Sequence, residues 1–269
     1  MSGTGYYLRL ECVRMLRDPR YLALAVLAPI GFYLLFSSIF GGGPVPPGQL
    51  GGTVEIMVAM AAYGAIWGVL SATGPRISQE RASGWVEQLR ALPLNARQVV
   101  LSKLAAGMLV ALPAILLVCL TAVLARGVRL DAWQWAALVP LVWLGSLPFA
   151  LLGTAVGYAV GAETAFPLSY ALYLAMSALG GLWVPPARLS APLRQAAHLL
   201  PSYRLADLGW SVAAGHAPGW ADAAVLAGWT LLLGALAALA CHRPRLRRAA
   251  RPPAPAHGRV RPATGGDTR

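Results

Sequence analysis

The run VVLSKLAAGMLVALPAILLVCLTAVLA, residues 99–125, carries a single charged residue, Lys103 near its start. A helix rises about 1.5 Å per residue and needs roughly 20 apolar residues to cross a bilayer core of about 30 Å. This stretch therefore predicts a membrane span. Working outward, the same reading gives spans at residues 21–40, 53–73, 133–160, 165–183 and 220–241. The expected fold is an all-α integral membrane protein of about six transmembrane helices.

Composition agrees. The chain of 269 residues is 57% hydrophobic and 12% charged, with a mean hydropathy of +0.59. A water-soluble domain carries about 25% charged residues. The net charge of +12 does not point to nucleic acid, because the basic residues fall in blocks between apolar runs and form no stripe with interleaved aromatics. Counted by segment, seventeen Lys and Arg lie before the first span, in residues 75–103 and in the tail, against five in the remaining loops. By the positive-inside rule both termini are cytoplasmic, which an even number of spans requires, in a multi-pass protein of the plasma membrane.

The segments between spans are less uniform. Residues 1–20 precede the first span, and there Leu8, Cys12, Met15 and Leu16 share one stripe opposite Glu11, Arg14 and Asp18. That spacing fits an amphipathic helix lying in the membrane interface, or an ordinary cytosolic one. The span at 133–160 contains Pro140, Pro148 and a Gly153–Gly157 pair that would let another helix approach closely. Residues 184–219 are too apolar for a free loop and too rich in proline for a plain span, which suggests short re-entrant helices packed on protein. The tail, 242–269, is rich in proline and arginine and expected to be disordered.

Catalytic and metal motifs are missing from the sequence. There is no GxxxxGK[ST] phosphate loop, no HExxH and no GxSxG, so ATP hydrolysis is not expected in this chain. Cys12, Cys119 and Cys241 are scattered, and the four histidines are isolated. The transmembrane domain, 21–241, is interrupted by one strongly polar segment, 75–98. Within it Trp85, Leu89 and Leu92 recur at i, i+4 and i+7, while Glu87 and Arg90 take other faces and Pro93 ends the pattern. A short helix with one apolar face fits either a solvated loop or a groove on a partner.

The order Glu80-Arg81-x-x-Gly84-x-x-Glu87-x-Leu89, followed by Pro93 and by Lys103 entering the third span, resembles the cytoplasmic loop of ABC type-2 exporter permeases. The segment with Gly180, Gly181, Pro185, Leu193, Leu199, Leu200, Pro201 and Tyr203 is similar to that family's region before its last span. The ExxRxLRDPR element from Glu11 to Arg20 also fits. The resemblance implies a half-transporter that is not itself an enzyme. Its loop, with Glu80, Arg81, Gly84, Trp85, Glu87, Leu89 and Leu92, would dock on a separate ATP-binding cassette ATPase, which would bind the ATP and Mg. The outer re-entrant segment would include Gly181, Pro185, Leu193, Pro201 and Tyr203. A permease homodimer, or a pair with a second permease, would complete the unit, with no cofactor or metal bound by this chain.

Bacterial multidrug and antibiotic-resistance exporters look closest, and few charges in the spans suit a hydrophobic or amphipathic cargo. An ion-gradient-driven transporter would need Asp, Glu or His at span centres, where the sequence offers none. A membrane immunity or resistance protein without transport is the other alternative.

Overall fold

The computed structural model describes residues 13, 19–42, 45, 50–84, 96–184 and 190–249. The helices are α1 Pro19–Phe40, α2 Gly52–Ala82, α3 Ala96–Arg126, α4 Ala132–Gly145, α5 Leu147–Ala159, α6 Ala162–Leu179, α7 Ala191–Ala197, α8 Pro201–Ala213 and α9 Trp220–Ala249. No strand occurs among the described residues. The expected interfacial helix before residue 19 and the tail beyond 249 lie outside the described residues.

Helix α2 is the axis. Its most apolar window is entirely buried, and α1, α3, α5 and α6 pack around it. Small side chains make that possible. A Cβ on Gly64 would sit 3.1 Å from the Ala114 methyl, and one on Gly68 3.1 Å from the Ala111 Cα, so α3 lies almost backbone to backbone on α2. On the opposite side the Gly153–Gly157 pair of α5 rides against Thr73–Ile77. A Cβ on Gly157 would come within 2.7 Å of the Gly74 carbonyl. The close approach read from the GxxxG spacing is thus made to α2.

Hydroxyls in these helices turn back on their own backbones. Ser71 donates to the Trp67 carbonyl at 2.5 Å, Thr73 to Val69 at 2.8 Å and Thr154 to Ala150 at 2.8 Å. No partner outside the helix is then needed for these hydroxyls.

The outer faces tell what surrounds the bundle. Leu27, Leu35 and Ile39 of α1, Leu116, Leu120 and Leu124 of α3, and Leu231, Leu232 and Leu239 of α9 are all exposed. Such a belt suits contact with lipid or with another apolar helix. Among the described residues, four stretches are long and apolar enough to cross a membrane: Gly52–Ala82, Gln98–Arg126, Ala132–Ala159 and Trp220–His242. Of the other two expected spans, α1 contributes the shorter apolar stretch Ala25–Phe40, and α6 is diluted by Glu163, Pro167 and its tyrosines.

Two expected boundaries inside the bundle move, and α9 runs on to Ala249, through the first eight residues of the expected tail. The span 133–160 is two helices, broken at Ser146, with Pro148 in the first turn of α5 where its missing N–H costs nothing. The polar loop expected from residue 75 does not start there, because α2 continues through Pro75 to Ala82. Side chains of that last stretch find partners inside the bundle, so the limit set by lipid does not apply.

In the region expected to be re-entrant, α7 is largely exposed whereas α8 is buried against α2, α4 and α9. The Gln134 amide donates to the carbonyls of Val212 and Ala213 at 3.1 and 2.9 Å and so satisfies the end of α8. The Trp210 indole donates to the Glu55 carbonyl at 2.9 Å and ties α8 to the first turn of α2.

Candidate functional site

Charged groups of the bundle gather toward the two ends of α2. At the Ala82 end, Glu80 is 6% and Lys103 3% exposed, and the lysine ammonium donates directly to Glu80 Oε2. One helix turn back, Arg76 Nε lies 3.7 Å from the other carboxylate oxygen, Oε1. That oxygen is buried and accepts no hydrogen bond. Arg81 points the other way. Its Nη1 donates to the carbonyls of Gly157 and Tyr158, both at 2.8 Å, and its guanidinium lies 5.7 Å from the Tyr158 ring centre. Those carbonyls belong to the last turn of α5, where no amide remains to satisfy them and a cation is favoured.

Two of the residues that the resemblance assigns to docking, Glu80 and Arg81, are therefore turned into the bundle. Through them the end of α2 is bonded to α3 on one side and to α5 on the other. Ser83 closes the helix, its N–H donating to the Gln79 carbonyl at 2.9 Å. Gly84 follows at φ +74°, a left-handed conformation that glycine adopts without penalty at this position after a helix. Nothing lies within 4 Å of where its Cβ would be, so the backbone, and not crowding, asks for glycine here. Trp85, Glu87, Leu89 and Leu92 lie outside the described residues.

The other end of α2 carries a second group of charges. Arg204 of α8 pairs with Asp222 in the first turn of α9 and donates through Nε to the His198 carbonyl at 2.7 Å. Burial pushes the Asp207 carboxyl up, and the neighbouring Asp222 adds to the shift while Arg204 and His198 oppose it. Tyr203, 6% exposed, stands edge-on to His198 at 4.4 Å and to Trp210 at 5.9 Å. Gly181 turns the chain after α6 at φ +72°. Pro201 is buried in the first turn of α8, Leu193 is exposed on α7, and Pro185 lies outside the described residues.

Between the two ends runs a continuous aromatic contact along α1, α2 and α6. Phe32 meets Tyr63 at 5.7 Å, Tyr63 meets Tyr173 at 4.6 Å, and Trp67 meets Tyr173, Tyr170 and Phe166 at 5.0, 5.5 and 6.1 Å. Phe166 and Tyr170 are half-exposed. Such a surface stacks on flat apolar molecules and tolerates cationic ones.

Sequence reasoning named Glu80 and Lys103 separately and did not pair them. The available signal was Lys103 itself, a lone ammonium at the head of an apolar run, which a buried site can hold only beside an anion. The Arg204–Asp222 pair was also missed, although an acid in the first turn of a span and an arginine in an apolar segment invite the question.

The family model described as "ABC-2 type transporter" matches residues 4–208. The chain is also similar to YvfS, described as a transport permease, of Bacillus subtilis (strain 168), at 24% identity over 222 residues, covering 82% of this chain and 90% of the relative.

Proposed function

Since this chain belongs to the ABC-2 type transporter family, we propose that it is the permease of an ABC exporter driven by a separate ATPase subunit. The cargo would be a hydrophobic or amphipathic compound, drug-like, antibiotic or lipid-like, moved across the plasma membrane. In this reading six helices cross the bilayer, both termini and the Ala82 end of α2 face the cytoplasm, and two permeases join two ATPases. The chain contributes no catalytic residue and binds no cofactor. ATP and Mg sit on the partner.

One observation carries the reading: the polar residues at the Ala82 end of α2 bond inward, while the next residues, Gly84 to Leu92, carry the loop pattern that resembles a docking element. A rigid helix end that delivers an amphipathic segment to the cytoplasm is what an ATPase needs as a handle. ATP binding in the partner would bring two such handles together and shift the permease between inward- and outward-facing states. The half-exposed aromatics Phe166 and Tyr170 support an apolar cargo.

The test is purification of the permease together with the P-loop ATPase encoded nearest to its gene, followed by ATP hydrolysis in lipid with and without candidate hydrophobic compounds. A stoichiometric complex whose hydrolysis rises with a compound is expected. A permease that purifies alone, with the ATPase expressed beside it, sinks the proposal.

A further inference from the structure

The Glu80–Lys103 pair is hard to explain as a stabilising contact. Removing each ion from water is costly, and a well-packed apolar pair of similar size usually holds helices at least as well. The pairing is also incomplete, because Glu80 Oε1 is buried without a hydrogen bond and Arg76 stops at 3.7 Å from it. Helix α2 and α3 already touch along their length through Gly64, Gly68, Ala111 and Ala114. The helices do not need an ion pair to associate.

What an ion pair adds is register. Small-residue stripes permit sliding and rotation, since Ala and Gly surfaces are smooth, whereas a buried charge pair has one geometry and a steep cost for leaving it. The pair sits two residues from the end of α2 and seven residues into α3, at the point where the chain between the two helices begins and ends. Arg81, the residue after Glu80, fixes the end of α5 to the same helix through two carbonyls.

We infer that Glu80 and Lys103 are positioning residues that, with Arg81, lock the ends of α2, α3 and α5 into one body, so that a displacement imposed on the chain between α2 and α3 is passed along α2 to its far end. This rests on the proposed coupling to an ATPase. The far end is where α8 is bonded to the first turn of α2 through Trp210, so on this inference a rigid shift of α2 carries α8 and displaces the α7–α8 junction at Leu199, whose carbonyl accepts from the Trp229 indole of α9 at 3.0 Å. Without the lock, the same displacement is absorbed by slippage between α2 and α3.

The experiment uses the full permease–ATPase complex in lipid, with Cys12, Cys119 and Cys241 replaced by Ala and a reporter Leu199→Cys, a position 70% exposed. Labelling of the reporter by a membrane-impermeant maleimide is timed without nucleotide and with ATP plus vanadate. In the otherwise unaltered complex the rate should change about fivefold or more, the low end of ordinary site-to-site coupling.

The test variant is Glu80→Met with Lys103→Met. It should keep the bound ATPase and the unaltered Tm but lose the nucleotide response, whereas Lys103→Arg, which keeps the pair, should retain it. A merely structural role predicts the response intact in the double variant, and that result overturns the inference. So does a complex that holds its ATPase yet shows no response before any change to the pair. If the Met variant fails to assemble, Glu80→Gln with Lys103→Gln takes its place, and failure of both to assemble makes the pair a folding requirement and overturns the inference too. Failure of the unaltered permease to retain an ATPase is a different outcome, since it removes the proposed function itself.

Discussion

The indole of Trp143 donates to the main-chain carbonyl of Met108 at 2.7 Å, and this bond joins the last turn of α4 to α3. It lies close to the break between α4 and α5 and to a proline inside the continuous α3. Ser146 breaks α4 from α5 three residues later and approaches the Met108 sulfur at 3.6 Å, and Pro113 removes an amide from α3 five residues on. A helix carbonyl bonded from outside has a donor whether or not the local helix is regular, so the bond pins the two irregular points together.

Trp143→Phe keeps the ring and removes the donor. The expected loss is about 1 kcal/mol, the usual worth of one such bond. In a chain of this length that lowers Tm by roughly 2–4 °C. Thermal unfolding followed by intrinsic fluorescence of the remaining tryptophans checks it, and an unchanged Tm would show that the bond contributes nothing.

Gly153 is the tightest point of the α2–α5 contact. A Cβ there would lie 2.0 Å from Thr73 Oγ1 and 3.0 Å from the Leu70 carbonyl, and the carbonyl is backbone that cannot rotate away. Gly153→Ala should cost about 1–3 kcal/mol from overpacking. Gly31→Ala on α1, where nothing lies within 4 Å of the added methyl, should be neutral or slightly favourable because alanine is the better helix former. Folded yield and Tm of the two variants side by side decide it.

The helices and their apolar stripes were legible because a bilayer imposes one rule, about 20 predominantly apolar residues, which the sequence obeys visibly at 99–125 and 220–241. The true end of α2 was not legible. Residues 76–82 look like a solvated loop by composition, and only the partners Lys103 and the Gly157 and Tyr158 carbonyls, distant in sequence, make them interior. The buried α8 was half visible. Its prolines and apolar residues suggested short packed helices, but nothing local told that Gln134 would cap its end. Charge partners across helices are set by tertiary packing, and periodicity does not encode them.

Asp207 gives a pH dependence of unusual sign. Its carboxyl is held above the ordinary value of about 4 by burial first and by Asp222 second, with Arg204 and His198 opposing. A folded-state value above the unfolded one means that the folded protein holds the proton more tightly. The contribution is therefore fully present below the unfolded value and is lost as pH rises through the folded one. Asp207→Asn should be at least as stable as the unaltered chain at neutral pH, with the difference shrinking toward pH 4. Tm measured across that range would refute the assignment if the variant were weaker at neutral pH and equal to the unaltered chain in acid.

Orientation is open to a direct chemical test. With seventeen Lys and Arg in the segments proposed to be cytoplasmic and five in those proposed to be outside, single cysteines at Gly48 and Ala191 should react with an impermeant thiol reagent in intact cells. Cysteines at Ser83 and Ala254 should stay protected until the membrane is opened. Labelling of Ser83→Cys from outside would reverse the topology and remove the docking proposal with it.

The docking proposal itself separates residues that hold the bundle from residues that hold a partner. Glu80 and Arg81 bond inside the chain, so Arg81→Ala should lower Tm by freeing two α5 carbonyls, with little direct effect on ATPase affinity. Trp85, Leu89 and Leu92, which share a helical spacing in the sequence, are the apolar residues proposed to enter the ATPase. A buried aromatic anchor at an interface centre often costs about 2 kcal/mol or more when cut to Ala. At about 1.4 kcal/mol per tenfold, Trp85→Ala should loosen the ATPase by roughly 30-fold. Leu89→Ala should come next. Glu87→Gln should be mild, because rim charges act mainly on the rate of encounter. The variants at Trp85, Glu87 and Leu89 should insert and fold as the unaltered permease does, since these positions follow the end of α2. Binding of purified ATPase to permease in lipid, titrated for all of them, gives the order. A solvated loop helix predicts four unchanged affinities, and an Arg81→Ala variant that loses the ATPase while keeping its Tm would return that arginine to the docking surface.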